Sequence, residues 1–448
     1  MLSAVKEFIF DFFRPEAFAT FLNYTVKIFF KPIIIFFVPI FLSDSSQGYW
    51  YTFGSIAALT NFADLGFTSI MSQYAAHEYT YLRLSGKRIM FCGEQNNIEK
   101  ISSLFQFMIK WLCAVSIIAT LIILIVGWMV FSRESGNSSW MEPWALYVIG
   151  TIVRFSTQVE LSFFEGCDQF AVTQKIRAES SAVHCFLTII LLAAGFELYA
   201  LALPLFAESF IVLFLMHRKF GNALLQMIST KAKEKINWIK DFVPLLSRYA
   251  VSWASGYFAS QIYSPLVFSV YGATAAGKVG YTLSVITAIY AVANVWSLLS
   301  IPKYNMSVER KDWKNMDQMI KKNICYSVTV YVIGLCFLAV VYQISFLQVK
   351  FASRIMSPMS IAILAAGYLL LVISYCLSTY LRAHKKEPFM IPSLLNGIIG
   401  TLFTLVCFDI FGVDFIFAGI LIANIIVLPI SIWIWSDFRK KWHIVENA

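Results

Sequence analysis

The sequence predicts an all-α integral membrane protein of about twelve transmembrane helices, arranged as two six-helix lobes. Three observations carry this expectation. The 448 residues are 59% hydrophobic and only 14% charged, with a mean hydropathy of +0.70, whereas soluble domains are about 25% charged. Lys and Arg gather in alternate loops between apolar runs. A short motif recurs at an offset close to half the chain. A soluble fold of this length could not bury so much apolar surface, because the buried fraction grows slowly with size. A soluble enzyme and a disordered scaffold are therefore excluded, and lipid must cover the apolar faces.

The elements follow in order. Lys6, Glu7, Asp11, Arg14 and Glu16 interrupt a Phe-rich start, with no small-residue cleavage pattern after it. Residues 1–23 thus read as an amphipathic interfacial segment rather than a cleavable signal. A span needs roughly 20 mainly apolar residues. Twelve such stretches are expected at 24–42, 49–75, 104–131, 143–165, 178–195, 197–216, 242–270, 276–300, 323–342, 359–381, 388–408 and 413–436. Tight turns are expected at Ser43–Gly48, Gly195–Glu197 and Asp409–Gly412. The domain organisation that follows is an N-lobe at 24–216, a basic inter-lobe linker at 217–241, a C-lobe at 242–436 and a basic tail at 437–448.

Of the 35 Lys and Arg, 26 fall in the N-terminus, loops 76–103, 166–177, 217–241, 301–322 and 382–387, and the tail. Only Arg133, Lys278, Lys350 and Arg354 lie in loops on the other side. That asymmetry places both termini in the cytoplasm. The net charge of +9 therefore sets topology, and no nucleic-acid partner is expected. The eight cysteines form no CxxC and mostly sit in apolar runs, as small buried hydrophobes do. The five histidines are scattered, and no metal or cofactor site is expected. Gly272 to Lys278 matches GxxxxGK, but Val279 stands where a phosphate loop needs Ser or Thr. Asn137-Ser138-Ser139 is a glycosylation sequon in an outer loop.

Tyr51-Thr52-Phe53-Gly54-Ser55-Ile56-Ala57-Ala58-Leu59 in span 2 matches Tyr281-Thr282-Leu283-Ser284-Val285-Ile286-Thr287-Ala288-Ile289 in span 8 at Tyr, Thr, Ile and Ala. This is the pairing a six-plus-six duplication gives. Two parallel repeats would enclose a central cavity and alternate access by rocking.

An ionisable side chain inside a span costs about 2.5–3.5 kcal/mol on insertion scales, so each needs a reason. Thr151, Arg154, Gln158, Ser162 and Glu165 share one helical face of span 4, at spacings of three and four. That stripe is expected to line a watery cavity, or else to pair with a neighbouring helix. Asp64 in span 2, beside Asn61 and Thr68, and Glu208 in span 6 are candidate ion-coupling groups or fixed partners of Arg154. Lys27 and Lys31 in span 1, Lys110 in span 3 and Arg248 in span 7 are shallow. They either snorkel to the interface or form a cationic vestibule for a phosphate-bearing head group. Asn294, Asn396, Asn424 and Gln261 are uncharged and expected to bond between helices. With Asp64, Arg154, Glu160 and Glu208 all before residue 217, the first lobe is expected to carry the chemistry.

Gly48-Tyr49-Trp50-Tyr51-Thr52-Phe53, Asn61-Phe62-Ala63-Asp64-Leu65-Gly66-Phe67 and Gln73-Tyr74 resemble the polysaccharide-exporter flippases, including O-antigen flippases of the Wzx type. Tyr271-Gly272 to Gly277-Lys278-Val279-Gly280-Tyr281 resembles that family's turn between spans 7 and 8. These motifs cover about 30 residues, although the six-plus-six layout covers the whole chain. The resemblance implies the fold shared by multidrug and toxin extruders (MATE) and the lipid II flippase, within the MOP exporter superfamily. It implies a substrate of undecaprenyl-pyrophosphate-linked oligosaccharide, flipped to the periplasmic leaflet of the bacterial inner membrane by antiport against an ion gradient. It also implies membrane lipids, an O-antigen polymerase and a chain-length regulator as partners. Arg154 is a candidate from the residues themselves and not carried over from that family. The competing expectations are a drug or organic-cation antiporter of the same fold, which the cationic residues disfavour, and a membrane polymerase or ligase. The short outer loops disfavour the polymerase or ligase.

Overall fold

The computed structural model describes residues 32–64, 66–86, 88–134, 139–230, 256–258, 260–344, 352–384 and 388–445, with Ile239 and Leu246 singly. In order the helices are α1 (Pro32–Phe41), α2 (Asp44–Ala57), α3 (Thr60–Asp64), α4 (Phe67–Tyr79), α5 (Gln95–Phe131), α6 (Met141–Gly166), α7 (Phe170–Ala193) and α8 (Tyr199–Ser229). They continue with α9 (Tyr263–Ala293), α10 (Val295–Leu299), α11 (Ile301–Glu309), α12 (Trp313–Gln343), α13 (Pro358–Arg382), α14 (Met390–Phe411) and α15 (Ala418–Val445). A two-stranded antiparallel hairpin, β1 (Arg83–Ser85) with β2 (Met90–Cys92), joins α4 to α5.

Among the described residues eight helices are long and apolar enough to cross a membrane, with Gly256–Glu309 taken as one. That stretch breaks at Gly272, where φ is +79°, at the expected turn between spans 7 and 8. Met141–Gly166 is not among the eight, because Arg154, Gln158, Glu160 and Glu165 lower its apolar content. With these two adjustments, and span 2 carried by α2 to α4, the helices fall on the twelve expected stretches. Spans 1 and 7 lie only partly within the described residues. The chain is a multi-pass, mostly helical membrane protein. Its large exposed side chains, such as Ile117, Ile118, Leu121, Ile125 and Trp128 along α5, form the outward apolar face that lipid covers.

Several expectations are corrected. Span 2 is not one continuous helix: it breaks after Ala57 and again at Gly66, whose φ of +83° is left-handed. Loop 76–103 contains the hairpin and the first turns of α5. Loop 166–177 is only a short turn, Cys167–Gln169, so Lys175 and Arg177 are helical residues of α7. The expected linker from residue 217 begins as thirteen further residues of α8. Lys278 belongs to α9, and the GxxxxGK stretch runs across the Gly272 break into this helix, forming no phosphate loop.

The chain groups into two compact units. The first comprises 1–41 and 56–253, the second 42–55 and 254–448. This differs from the lobe boundaries read from sequence, since 42–55 groups with the second unit. The first unit closes around Phe67, Phe105, Phe163, Phe164, Val212 and Phe220, all buried, with Phe164 and Phe220 stacked at 4.5 Å.

In the second unit the leading residues of the two repeat segments meet. Tyr51 lies 6.3 Å from Tyr281, ring to ring, and Gln47 Nε2 donates to the Gly277 carbonyl at 3.0 Å. Asp44 pairs with Arg354 at 2.6 Å. At the far end of this unit Asp317 accepts from Tyr380 Oη and Arg439 Nε, each at 2.9 Å, which ties α12, α13 and α15 together. Helices approach here without side chains between them: a Cβ at Gly48 would sit 1.9 Å from the Ala273 carbonyl oxygen. Gly48→Ala is expected to force α2 and α9 apart and cost about 1–3 kcal/mol, as overpacking does. A thermal melt of the purified protein in detergent checks it, and an unchanged midpoint would show that this contact is not close.

Candidate functional site

The polar stripe of α6 faces neither lipid nor a single partner. It divides between α7 and α8. Arg154 Nε donates to Glu208 Oε2 on α8 at 2.9 Å, and His184 Nδ1 on α7 lies 3.0 Å from the same oxygen. The Glu208 side chain is 3% exposed, while that of Arg154 is 44% exposed. One carboxylate thus has nitrogens from two helices beside it, and takes its hydrogen bond from Arg154. Only the Nε edge of the Arg154 guanidinium is committed to it.

From one to three turns further along α6 a second cluster forms around Arg177 of α7. Its Nε donates to Glu165 Oε1 at 3.1 Å, its Nη1 to Gln158 Oε1 and its Nη2 to Ser162 Oγ at 3.2 Å. Thr173 Oγ1 and Gln174 Nε2 also donate to Glu165 Oε1, at 3.2 and 3.1 Å. The register explains why. The turn Cys167–Gln169 folds α7 antiparallel to α6, so residues equally distant from the turn meet. Arg177 and His184 are seven residues apart, two turns on one face of α7. Gln158, Ser162 and Glu165 offer matching acceptors on α6.

The sequence-predicted residues are distributed as follows. Arg154 and Glu208 come together in one cluster, and Gln158 and Glu165 in the other. Asp64 joins neither. Its Oδ1 accepts from the Thr68 amide at 2.9 Å and from the Thr68 hydroxyl at 2.5 Å, as a carboxylate does when it satisfies the open N–H groups at a helix start. The Asp-Leu-Gly-Phe motif is thus a capped helix break rather than a bare mid-span acid. Lys27, Lys31 and Arg248 lie outside the described residues. Two participants escaped sequence reasoning: Arg177, read as a loop charge, and His184, read as one of five scattered histidines. The signal for both was available in the i, i+7 spacing on α7.

Several cavities lie within single units among the described residues. In the first unit, one of about 570 Å³ runs between α5, α6 and α8; it is largely apolar, with Glu160 and His217 on its wall. In the second unit, one of about 290 Å³ is lined by α9, α13, α14 and α15 with tyrosines, serines and two asparagines. There Asn396 Nδ2 donates to Asn424 Oδ1 at 2.9 Å, the helix-to-helix bond expected of these residues. Asn294 bonds instead within its own helix, to the Tyr290 carbonyl at 3.0 Å.

No protein-family profile matches the chain, and no curated protein matches it in sequence. Solved structures do match in fold. An inward-facing multidrug resistance MATE transporter of the MOP superfamily aligns with a TM-score of 0.57 at 12% identity, over 92% of this chain and 98% of that one. The lipid II flippase MurJ, in an inward closed conformation, aligns with a TM-score of 0.62 at 14% identity, over 93% of this chain and 86% of that one. The MATE multidrug transporter DinF-BH aligns with a TM-score of 0.59 at 11% identity, over 94% of each chain. At these identities the likeness is one of fold: the chain has a fold like that of the MATE transporters and MurJ.

Proposed function

We propose that this protein is a flippase for undecaprenyl-pyrophosphate-linked oligosaccharide. It carries its substrate from the cytoplasmic to the periplasmic leaflet of a bacterial inner membrane by alternating access, coupled to an ion gradient, and is a transporter rather than an enzyme. Both termini are cytoplasmic on the positive-inside distribution. The observation that carries this reading is Arg154. It sits within a helix of the membrane region, is anchored through Nε to Glu208, and keeps its side chain 44% exposed. An arginine so held presents N–H groups in a fixed fork, the geometry that receives phosphate oxygens. The MATE/MurJ-like fold supports a membrane-embedded transport path.

Glu208 then has a mechanistic part. A pyrophosphate on Arg154 competes with the Glu208 carboxylate for the same cation. Substrate occupancy and the charge state of Glu208 are therefore linked, each altering the other by the same factor. Glu208→Gln keeps the shape and a hydrogen-bond acceptor but removes the charge. In proteoliposomes loaded with a fluorescent polyprenyl pyrophosphate oligosaccharide, the unmodified chain is expected to translocate faster under an imposed ion gradient, and Glu208→Gln at one rate with or without it. Gradient dependence that survives the substitution would remove Glu208 from coupling. The absence of any translocation by the unmodified chain would overturn the flippase reading itself.

One observation favours a second reading, a lipophilic-cation antiporter. The first unit's cavity combines apolar walls with the carboxyl of Glu160, which suits an amphiphilic amine. Uptake of a fluorescent lipophilic cation into the same proteoliposomes, abolished by Glu160→Gln, is the result that this reading requires.

A further inference from the structure

The second unit's cavity has a lining unlike the rest of the membrane region. Four tyrosines, Tyr263, Tyr290, Tyr368 and Tyr375, share it with five serines and the pair Asn396 and Asn424. Arg382 is the one charged residue on its wall, and no carboxylate, lysine or histidine lines it among the described residues. Lipid supplies no hydrogen bonds, so polar groups lining a membrane cavity are costly unless something else satisfies them. One of them is demonstrably open. Ser431 is 1% exposed, and its Oγ has no hydrogen-bond partner among the described residues.

The chemistry points to one kind of ligand. Hydroxyl and amide groups both donate and accept, which matches a molecule dense in hydroxyls. Tyrosine adds a flat apolar face and a polar tip, which suits the C–H face and hydroxyl rim of a sugar ring. The lack of acids removes any reason for a cation to enter. The cavity is also elongated. Tyr368, Tyr375 and Arg382 stand at seven-residue intervals along α13, about 21 Å end to end at 1.5 Å per residue. Arg382, the last residue of α13, is suited to an anionic group at one end. A volume of about 290 Å³ lies at the lower edge of ordinary small-molecule sites, so it takes a short piece of glycan.

We infer that this cavity is a glycan subsite: the second unit recognises the uncharged sugar of the lipid-linked substrate through Tyr375, Ser374, Ser431 and Asn396. This rests on the flippase reading and adds that sugar selection resides in the second unit, apart from the charged clusters of the first. The test uses the full chain in lipid nanodiscs and two probes, bare polyprenyl pyrophosphate and the same lipid bearing one N-acetylhexosamine. The unmodified protein is expected to bind the glycosylated lipid about tenfold more tightly, the scale of one or two net hydrogen bonds. Ser374 is half-buried, and Ser374→Trp fills the cavity; its affinity for the glycosylated lipid is expected to fall to that for the bare lipid. If that variant does not fold, Tyr375→Phe, which deletes one hydroxyl, is expected to narrow the preference about threefold. A preference unchanged in the folded variants overturns the subsite. So does equal binding of both lipids by the unmodified protein, which leaves the flippase reading standing. Binding of neither lipid overturns that reading, and the subsite with it.

Discussion

Arg154→Ala is expected to reduce transport by more than ~100-fold in a chain that still inserts and folds. The loss follows from what the side chain does. It donates one N–H to Glu208 at 2.9 Å, and its side chain is partly exposed. Deleting it removes two or more charge-assisted hydrogen bonds to a bound phosphate, each worth about 1.5–3 kcal/mol. The protein survives because Glu208 keeps His184 beside it at 3.0 Å and so is not left as a bare buried charge. Arg154→Lys preserves the charge but not the fork, and is expected to retain part of the activity. Expression level and melting temperature, read beside translocation rate, separate this from misfolding. Normal transport by the alanine variant would exclude that face of α6 from the substrate path.

Arg177→Ala is expected to have the opposite profile, a large loss of stability. Arg177 is 13% exposed and Glu165 16%. The arginine donates to Glu165, Gln158 and Ser162 together. Removing it leaves the Glu165 carboxylate with only the neutral donors of Thr173 and Gln174. Breaking a buried ion pair from one side costs about 3–5 kcal/mol. For a unit of this size that lowers the melting temperature by roughly 10 °C. The double variant Arg177→Ala/Glu165→Gln removes the orphaned charge and is expected to recover part of the loss. A melting curve for Arg177→Ala that overlays the parent's would mean that the cluster contributes no net stability.

The contrast between these two arginines shows what the sequence could reveal. Arg154 was legible because it interrupts an otherwise apolar run, and the cost of burying a charge makes such an interruption informative. Arg177 follows Asp168, Gln169 and Lys175, and hydropathy reads that cluster of polar residues as a loop. A hydropathy window cannot separate a polar residue facing water from one facing acceptors on the next helix. Asp64 was placed mid-span for a related reason: the left-handed residue at Gly66 breaks the helix without lowering its apolar content. The spans themselves were readable because a fixed membrane thickness imposes a fixed length. The repeat between Tyr51 and Tyr281 was visible as an offset, but its consequence was not. The meeting of the leading residues of the two motifs in one unit depends on close approach at Gly48, a tertiary property. The second unit's cavity was the least legible. Its lining comes from four helices far apart in the chain, and the one helical stripe among them, Tyr368, Ser374, Tyr375, Ser378 and Arg382 on α13, is made mostly of uncharged residues that leave the span apolar.

The most direct test of the account is the sidedness of lipid-linked oligosaccharide in cells lacking this protein. Spheroplasts are probed with a membrane-impermeant glycan-modifying reagent, with and without the gene restored. The account predicts that the intermediate stays protected until the intact gene returns, and remains protected when the returning gene carries Arg154→Ala. An intermediate modified on the outer face regardless of the gene would contradict it.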